Sequence, residues 1–418
     1  MFRRAFVLLL GTLALGGCAG GYGGYGGGRP IGPVPLPLGA AGGGPGGPVG
    51  QKVAILLPLS GPRADIGQAM LHAAQLALDG AGAPPLDAKD TGGNPQAAAA
   101  AAQAAIAEGA GLILGPLTSP ETAAVAPVAR AANVAMLAFT NDPSQAQPGV
   151  WTLGITPGQQ VRRLVAATQA QGKSQYAALL PDTDFGRAMG QALTQATTSS
   201  GAAPPNVRFY AQGMSAINAA ARDVSGYASR RGPIDAKIRA SRLEGTPEGR
   251  RQAQELARSG IPPAPFSTLL LADTGEALTE IASLLPYYDI DRSSVQIIGP
   301  ALWASPSSGA SQLRGAWYAA PDPAARANFE QAYTSKYGNP PSPLADLAYD
   351  AASIARVLAG RGYSAGALTQ GSGFIGADGW FALLADGQVR RALAVFAVDR
   401  GGPQMVEPAP QSGNVPGV

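Results

Sequence analysis

Residues 53–61 read VAILLPLSG, five apolar residues in a row that stop at Pro58. An apolar run this short, closed by a breaker, suits a strand buried on both faces. A polar loop with a glycine follows it, and Ile66, Ala69, Met70, Ala73 and Ala77 then fall on one face of a helix spanning about residues 66–78. The order is strand, loop, helix. In an open parallel sheet the loop at the carboxyl end of such a strand lines the crevice where ligands bind. Ser60 sits in that loop.

The same alternation continues outward. Buried-strand runs are expected at Leu112–Leu114, Val134–Ala138, Ala177–Leu180, Val207–Tyr210, Thr268–Leu271, Val295–Ile298 and Trp317–Ala320. Alanine-rich helical stretches separate most of them, among them Pro95–Glu108, Glu121–Ala132, Gly158–Ala170 and Phe185–Thr197. Strand and helix in alternation predict an α/β fold with parallel sheets and right-handed crossovers. Eight such runs exceed one compact sheet, and the break falls near Ile155–Pro157, so two lobes with a cleft between them are expected over residues 51–400. Residues 215–263 depart from the pattern as a polar, exposed helical insertion, with nine basic and five acidic residues between Arg222 and Arg258. Turn residues at Gly376–Gly379 and Asp386-Gly387 set off the runs Trp380–Leu384 and Ala392–Val398 as an antiparallel finish. Residues 401–418 read as a disordered tail.

The beginning of the chain reads as an address. A basic start at Arg3 and Arg4, eleven apolar-to-neutral residues from Ala5 to Leu15, and Gly16-Gly17 before the lone Cys18 make residues 1–17 a signal peptide. The run is shorter than the ~20 residues a membrane-spanning helix takes. Small residues before the cysteine resemble the bacterial lipobox, which implies cleavage and lipid on Cys18 as a membrane anchor. Ala19, which is not an aspartate, implies sorting to the outer membrane. Glycine and proline supply 21 of the 31 residues from Gly20 to Gly50. Such a stretch cannot bury enough surface to offset its ordering entropy, and residues 18–50 read as anchor and tether.

Composition narrows the chemistry. Hydrophobic residues make up 46% of the chain and charged ones 14%, enough apolar surface for large cores. Without Arg3 and Arg4 the basic residues number 28 against 27 acidic, a balance that argues against a nucleic-acid partner. One cysteine and one histidine allow no internal disulfide and no Cys/His zinc cluster, and no cofactor or metal is expected. His72 has no second histidine to work with, and the pairs Asp87/Asp90, Asp182/Asp184 and Asp289/Asp291 sit at turns and strand ends, where aspartate caps the backbone. No catalytic set assembles, so the protein is not expected to be an enzyme. Binding elements do. Ser119 in Gly115–Ser119 precedes a helix whose free amides attract anions, and Phe139-Thr140 ends the next strand, so Ser60, Ser119 and Thr140 converge on one polar solute.

Several short motifs in fixed order carry a family resemblance: LLPLSG at Leu56–Gly61, GPLTS at Gly115–Ser119, TNDP at Thr140–Pro143, DFG at Asp184–Gly186, IIGP at Ile297–Pro300 and AYDA at Ala348–Ala351. Over Lys52–Arg400 the chain resembles the type I periplasmic binding proteins of the Leu/Ile/Val-binding type. The resemblance implies a two-lobed fold in which Ser119, the Phe139 backbone and Thr140 hold a ligand carboxylate and Phe185 stacks on the ligand. It also implies a glutamate after the late Gly-Pro to hold the ligand's ammonium. Gly299-Pro300 is instead followed by Ala301, leaving Asp273 as a substitute and Trp303 as a cation–π face. PYYDID at Pro286–Asp291, WYAAPDP at Trp317–Pro323 and GFIGADGWF at Gly373–Phe381 are similar to penicillin-binding-protein activator lipoproteins of the same fold. Two expectations follow. One is a periplasmic regulator that contacts a peptidoglycan synthase; the other is a receptor that delivers amino acids to an ABC permease.

Overall fold

Burial along the strands divides the chain into two α/β sheets, each with helices on both faces. The computed structural model describes residues 52–412; Cys18, the signal peptide, the tether and residues 413–418 lie outside them. In the first lobe, β1 (Lys52–Leu57), β2 (Leu86–Asp90), β3 (Ala110–Leu114), β4 (Ala135–Ala138) and β5 (Val150–Thr152) form a wholly parallel sheet in the order β2-β1-β3-β4-β5. Val53 to Leu57 are each fully buried. Val53, Ile55 and Leu57 face α1 (Ala64–Ala77) and α11 (Ala345–Leu358), while Ala54 and Leu56 face α2 (Pro95–Ala107) and α3 (Ser119–Ala131). That two-sided burial explains the uninterrupted apolar run.

The second lobe repeats the plan. Strands β6 (Tyr176–Pro181), β7 (Asn206–Tyr210), β8 (Thr268–Leu271), β9 (Gln296–Gly299) and β10 (Trp317–Ala320) lie parallel in the order β7-β6-β8-β9-β10. Helices α4 (Pro157–Ala170) and α5 (Asp184–Ser199) cover one face, α6 (Met214–Val224) and α9 (Gly275–Tyr287) the other. In both lobes the strand order reverses between the first and third strands, the place where α/β sheets bind ligands. β14 (Ala394–Ala397) and β15 (Gln404–Glu407) extend this sheet antiparallel. The segment 401–418, expected to be a disordered tail, thus contributes a strand, and Arg163 holds it through Glu407 at 2.8 Å.

The expected insertion at 215–263 is smaller than its sequence suggested. Ile217, Ala221 and Val224 of α6 are core residues. The polar excursion is the pair α7 (Tyr227–Leu243) and α8 (Pro247–Arg258), which pack on each other and leave Leu243 at their tip 87% exposed. Arg230 fastens its base by donating to the carbonyls of Ser225, Pro262, Tyr288 and Asp289.

The chain passes between the lobes three times: at residues 153–156, at 321–322 into α10 (Pro323–Tyr337), and through a small sheet of β11 (Phe374–Gly376), β12 (Gly379–Leu383) and β13 (Val389–Arg391). Strand alternation lets that sheet serve both cores. Phe381 and Leu383 point into the first lobe, Trp380 and Ala382 into the second. Hydrogen bonds lace the first and third passages together: Trp151 Nε1 to the Leu384 carbonyl at 2.7 Å, Gln159 Nε2 to Val389 at 2.6 Å, and Arg163 Nε to Leu393 at 2.8 Å.

At their centre lies Arg391, fully buried, 3.1 Å from Asp350 and 3.6 Å from Asp378, with its guanidinium over the Phe381 ring. Asp350 also accepts the Ala377 amide at 2.6 Å, and any side chain at Gly376 would run into its carboxylate. One turn earlier on α11, Asp346 binds Arg326 at 2.6 and 3.0 Å. Burial pushes Asp350 up to about 7 against the pull of Arg391, and burial likewise raises Asp346 to about 7 against Arg326.

Both folded-state values stand above the unfolded carboxyl value of 3.8, so folding takes up protons. Their stabilising contribution is therefore complete below about pH 4 and is lost as the pH rises through 7. Urea melts from pH 5 to pH 8.5 should show stability falling across this window, with a shallower fall in Asp346→Asn than in the wild type.

Candidate functional site

The carboxyl ends of the two sheets place the sequence-predicted residues at the reversal points. Ser60 follows β1 and Ser119 follows β3; Phe185 follows β6 and Asp273 follows β8. Gly115 makes the turn after β3, with φ of +89° and no room for a Cβ against the Leu56 carbonyl, so only glycine fits there.

On the first-lobe side the donors of Ser60 and Ser119 are already engaged by the chain's own carboxylates. Asp90 Oδ1 accepts the amides of Leu59, Ser60 and Gly92 at 2.8, 3.2 and 2.8 Å. The Ser60 hydroxyl bonds the same carboxyl, and these contacts hold it below the usual carboxylate range despite partial desolvation. Ser119 Oγ donates to Asp142 Oδ2 at 2.5 Å, and the Thr140 hydroxyl accepts the Asp142 amide at 3.1 Å. Although burial works the other way, hydrogen bonds from Ser119 and Ser144 keep Asp142 below its ordinary value, hence ionised at neutral pH. The Phe139 amide donates to the Pro116 carbonyl at 2.9 Å, so that amide is not free to bind a ligand. Helix α3 is capped internally as well: Thr118 and Glu121 form a reciprocal box, and Pro120 has no N–H to offer. A ligand carboxylate at Ser119 and Thr140 would have to displace Asp142 or lie against its charge.

On the second-lobe side there is a cavity of about 700 Å³. Phe185, Tyr210, Gln212, Asp273, Glu276 and Leu302 are among its walls. Asp273 Oδ2 accepts the Tyr210 hydroxyl at 2.7 Å and Oδ1 accepts the Thr274 amide at 2.8 Å. Burial, with the Asp273 charge adding to it, raises Tyr210 well above the ordinary tyrosine value, so it stays a neutral donor. Trp303 does not join this cavity. It is 3% exposed, its ring lies over Gly299, and Nε1 donates to the Asp273 carbonyl at 3.0 Å. The expected cation–π face is therefore packed into the core, and exposed Leu302 takes the place beside Asp273. At the position where amino-acid binders of this type carry a glutamate, the Ala301 amide donates to Gln160 Oε1 at 2.7 Å.

The remaining candidates have structural partners. His72 stacks on Tyr337 at 4.3 Å; Asp87 pairs with Lys52 and Lys89; Asp182 and Asp184 both pair with Arg187; Asp291 caps Ser293. Among the described residues no group of three or more His, Cys, Asp or Glu side chains could hold a metal, and no helix is long and apolar enough to cross a membrane. Sequence reasoning had Asp90 and Asp142 in view, as half of an acidic pair and inside TNDP, but gave neither a place in the site. Gln160, Tyr210 and Leu302 carried no signal of their own.

Two doubly wound lobes, each with its strand-end loops at the reversal point, present the places where α/β sheets bind ligands. The family model for periplasmic binding proteins matches residues 50–403, and the chain belongs to that family. A putative branched-chain amino acid ABC transporter from Rhodospirillum rubrum shares the fold with a TM-score of 0.64 at 20% identity, over 85% of this chain and 99% of that one. The C-domain of LpoA from Haemophilus influenzae, described as a regulator of PBP1A, gives 0.60 at 16% identity over 85% and 99%. Full-length LpoA from the same organism gives 0.61 at 16%, with 85% of this chain matching 59% of it. An uncharacterised protein of Rickettsia prowazekii is 25% identical over 175 residues, 42% of this chain and 47% of that protein. The chain thus spans about half the length of the curated relative it matches. Family and similar structures alike are binding proteins or regulators.

Because Trp303 is core, Trp303→Ala should cost about 3–5 kcal/mol in a urea melt. A loss of under 1 kcal/mol (about a fivefold change in the folding constant) would return Trp303 to the cleft surface.

Proposed function

We propose that this chain is a non-enzymatic, lipid-anchored regulator of peptidoglycan synthesis that works through contact with a peptidoglycan synthase. Cys18 serves as its anchor to the outer membrane, and residues 18–50 as the tether that lets residues 51–400 reach across the periplasm. The observation that carries this reading is the first-lobe cradle: Ser60 and Ser119 donate to Asp90 and Asp142, whose fixed charges stand where an amino acid's carboxylate would lie. Ala301 and Gln160, where a charged partner for an ammonium would stand, point the same way. The LpoA C-domain, a regulator of PBP1A, supports the reading as a protein of like fold.

The α7–α8 hairpin offers a surface for such a contact. Lys237, Arg239, Arg242, Arg250, Arg251 and Arg258 are exposed on it, and among the described residues none of them makes an ion pair. A second reading, a receptor that delivers a solute to an ABC permease, is favoured by the second-lobe cavity with Phe185, Tyr210 and Asp273. Its acidic lining suits a cationic or hydroxylated polar solute more than an anion.

Binding of the full chain to an immobilised PBP1A-type synthase tests the regulator. Saturable binding is expected, weakened at least tenfold in the triple variant Lys237→Glu, Arg239→Glu, Arg242→Glu, and weakened by salt. Absence of binding to the synthase overturns the proposal; binding that ignores the triple variant moves the contact off the hairpin.

A further inference from the structure

Neighbouring arginines on α4 have opposite fates. Arg163 is buried and satisfied: it donates to the Leu393 and Pro408 carbonyls and pairs with Glu407. Arg162, half-buried on the other side of the helix, makes no ion pair and no hydrogen bond among the described residues, and its Nε is buried without a partner. Burial and then the like charge of Arg390 hold its pKa below the ordinary arginine value; no carboxylate acts on it. A buried guanidinium donor left unmatched is destabilising and calls for an explanation.

The space in front of Arg162 is shaped to supply one. Two cavities of about 530 and 340 Å³ adjoin there, sharing Gly158, Arg162, Ala192, Gln195 and Gln388. Their walls come from α4, from α5, from the β12–β13 turn at Gln388 and, at the first-lobe end, from Pro143 and Ser144. Among the described residues Arg162 is the single charged side chain lining either cavity; the rest of the polar lining is amides and hydroxyls. This groove is separate from the cleft residues Ser119, Thr140, Phe185 and Asp273, none of which lines it.

We propose that the groove between α4 and α5 is an oxyanion-binding site, in which the Arg162 guanidinium anchors a carboxylate or phosphate group and the surrounding glutamines and serines bind the hydroxyl- or amide-rich body that carries it. A planar guanidinium gives two parallel donors to such a group. The site stands independently of the reading of the cleft. Its walls include Thr156 of the first passage between the lobes, Gln159 in the first turn of α4, and Gln388 and Val389 of the third passage, so an occupant would touch both passages.

Thermal melts of the full chain at constant ionic strength, with sodium D-glucuronate, sodium phosphate or uncharged D-glucose, test the proposal. A rise in Tm with at least one of the two anions and none with glucose is expected. A response to glucuronate alone assigns the ligand to the carboxylates, and a response to phosphate alone assigns it to the phosphoryl compounds. Arg162→Gln should bind the active anion at least tenfold more weakly, yet melt at a higher temperature than the wild type without ligand, because an unmatched cation is gone. Arg162→Lys, which keeps the charge but loses the fork, should fall between. The proposal is overturned if neither anion raises Tm, or if Arg162→Gln responds as the wild type does.

Discussion

A buried cluster of hydrogen-bonded ionisable groups lies where the segments between the lobes meet. Arg391 meets Asp350 on α11 and Asp378 in the small sheet, and donates to the Leu153 carbonyl of the first passage at 3.4 Å. It therefore joins three segments that meet between the lobes. A lone buried guanidinium there would cost several kcal/mol, and the carboxylates together with the Phe381 ring offset that cost. The arrangement also explains local sequence. Gly376 is required because Asp350 fills the space above it, and the turn at Gly376–Gly379 delivers the Ala377 amide to the same carboxylate. Hydrogen bonds from Trp151, Gln159 and Arg163 to the carbonyls around it fix the path of the third passage.

The same physics explains why the two sides of the cleft differ. In the first lobe, loops that end in free amides and hydroxyls have been closed by Asp90 and Asp142, each accepting several donors and each ionised. The Ser60 and Ser119 donors are spent on these carboxylates, while Thr140 keeps its own O–H, and two fixed negative charges repel an anionic ligand. In the second lobe the cavity beside the Tyr210–Asp273 hydrogen bond is lined by two aromatic rings, Phe185 and Tyr210, one exposed leucine and acidic groups. A fold that elsewhere grips small solutes between its lobes here has one side closed by its own side chains. That asymmetry is the ground on which we propose protein contact as the use of the fold.

Much of the fold was legible in sequence because buried parallel strands are written as uninterrupted apolar runs; Val53–Leu57 and Thr268–Leu271 are the clearest. β2 was missed because Leu86-Asp-Ala-Lys-Asp90 lies at the sheet edge, where polar alternation looks like loop, and β5 because three residues are too few to show a period. The helical excursion was visible from its charge, but α6 was included in it since its apolar face is only three residues wide. Ser60, Ser119, Phe185 and Asp273 lie after β1, β3, β6 and β8, the strand ends where the apolar runs stop. Trp303 was misplaced because a sequence gives a residue's loop and not the face it turns, and its neighbour Leu302 faces the cavity. Asp350 stood inside the motif Ala348–Ala351, but its partner Arg391 is 41 residues away and no local pattern joins them.

The closure of the first-lobe cradle by Asp142 is most directly tested by calorimetric titration of the full chain with leucine, isoleucine and valine, beside the double variant Asp142→Ala, Ala301→Glu. The wild type should give no binding heat, and the double variant, with Ser119 released, the Asp142 charge removed and a carboxylate placed after Gly299-Pro300, should acquire it. Micromolar binding by the wild type would contradict the closed cradle and make the chain an amino-acid receptor.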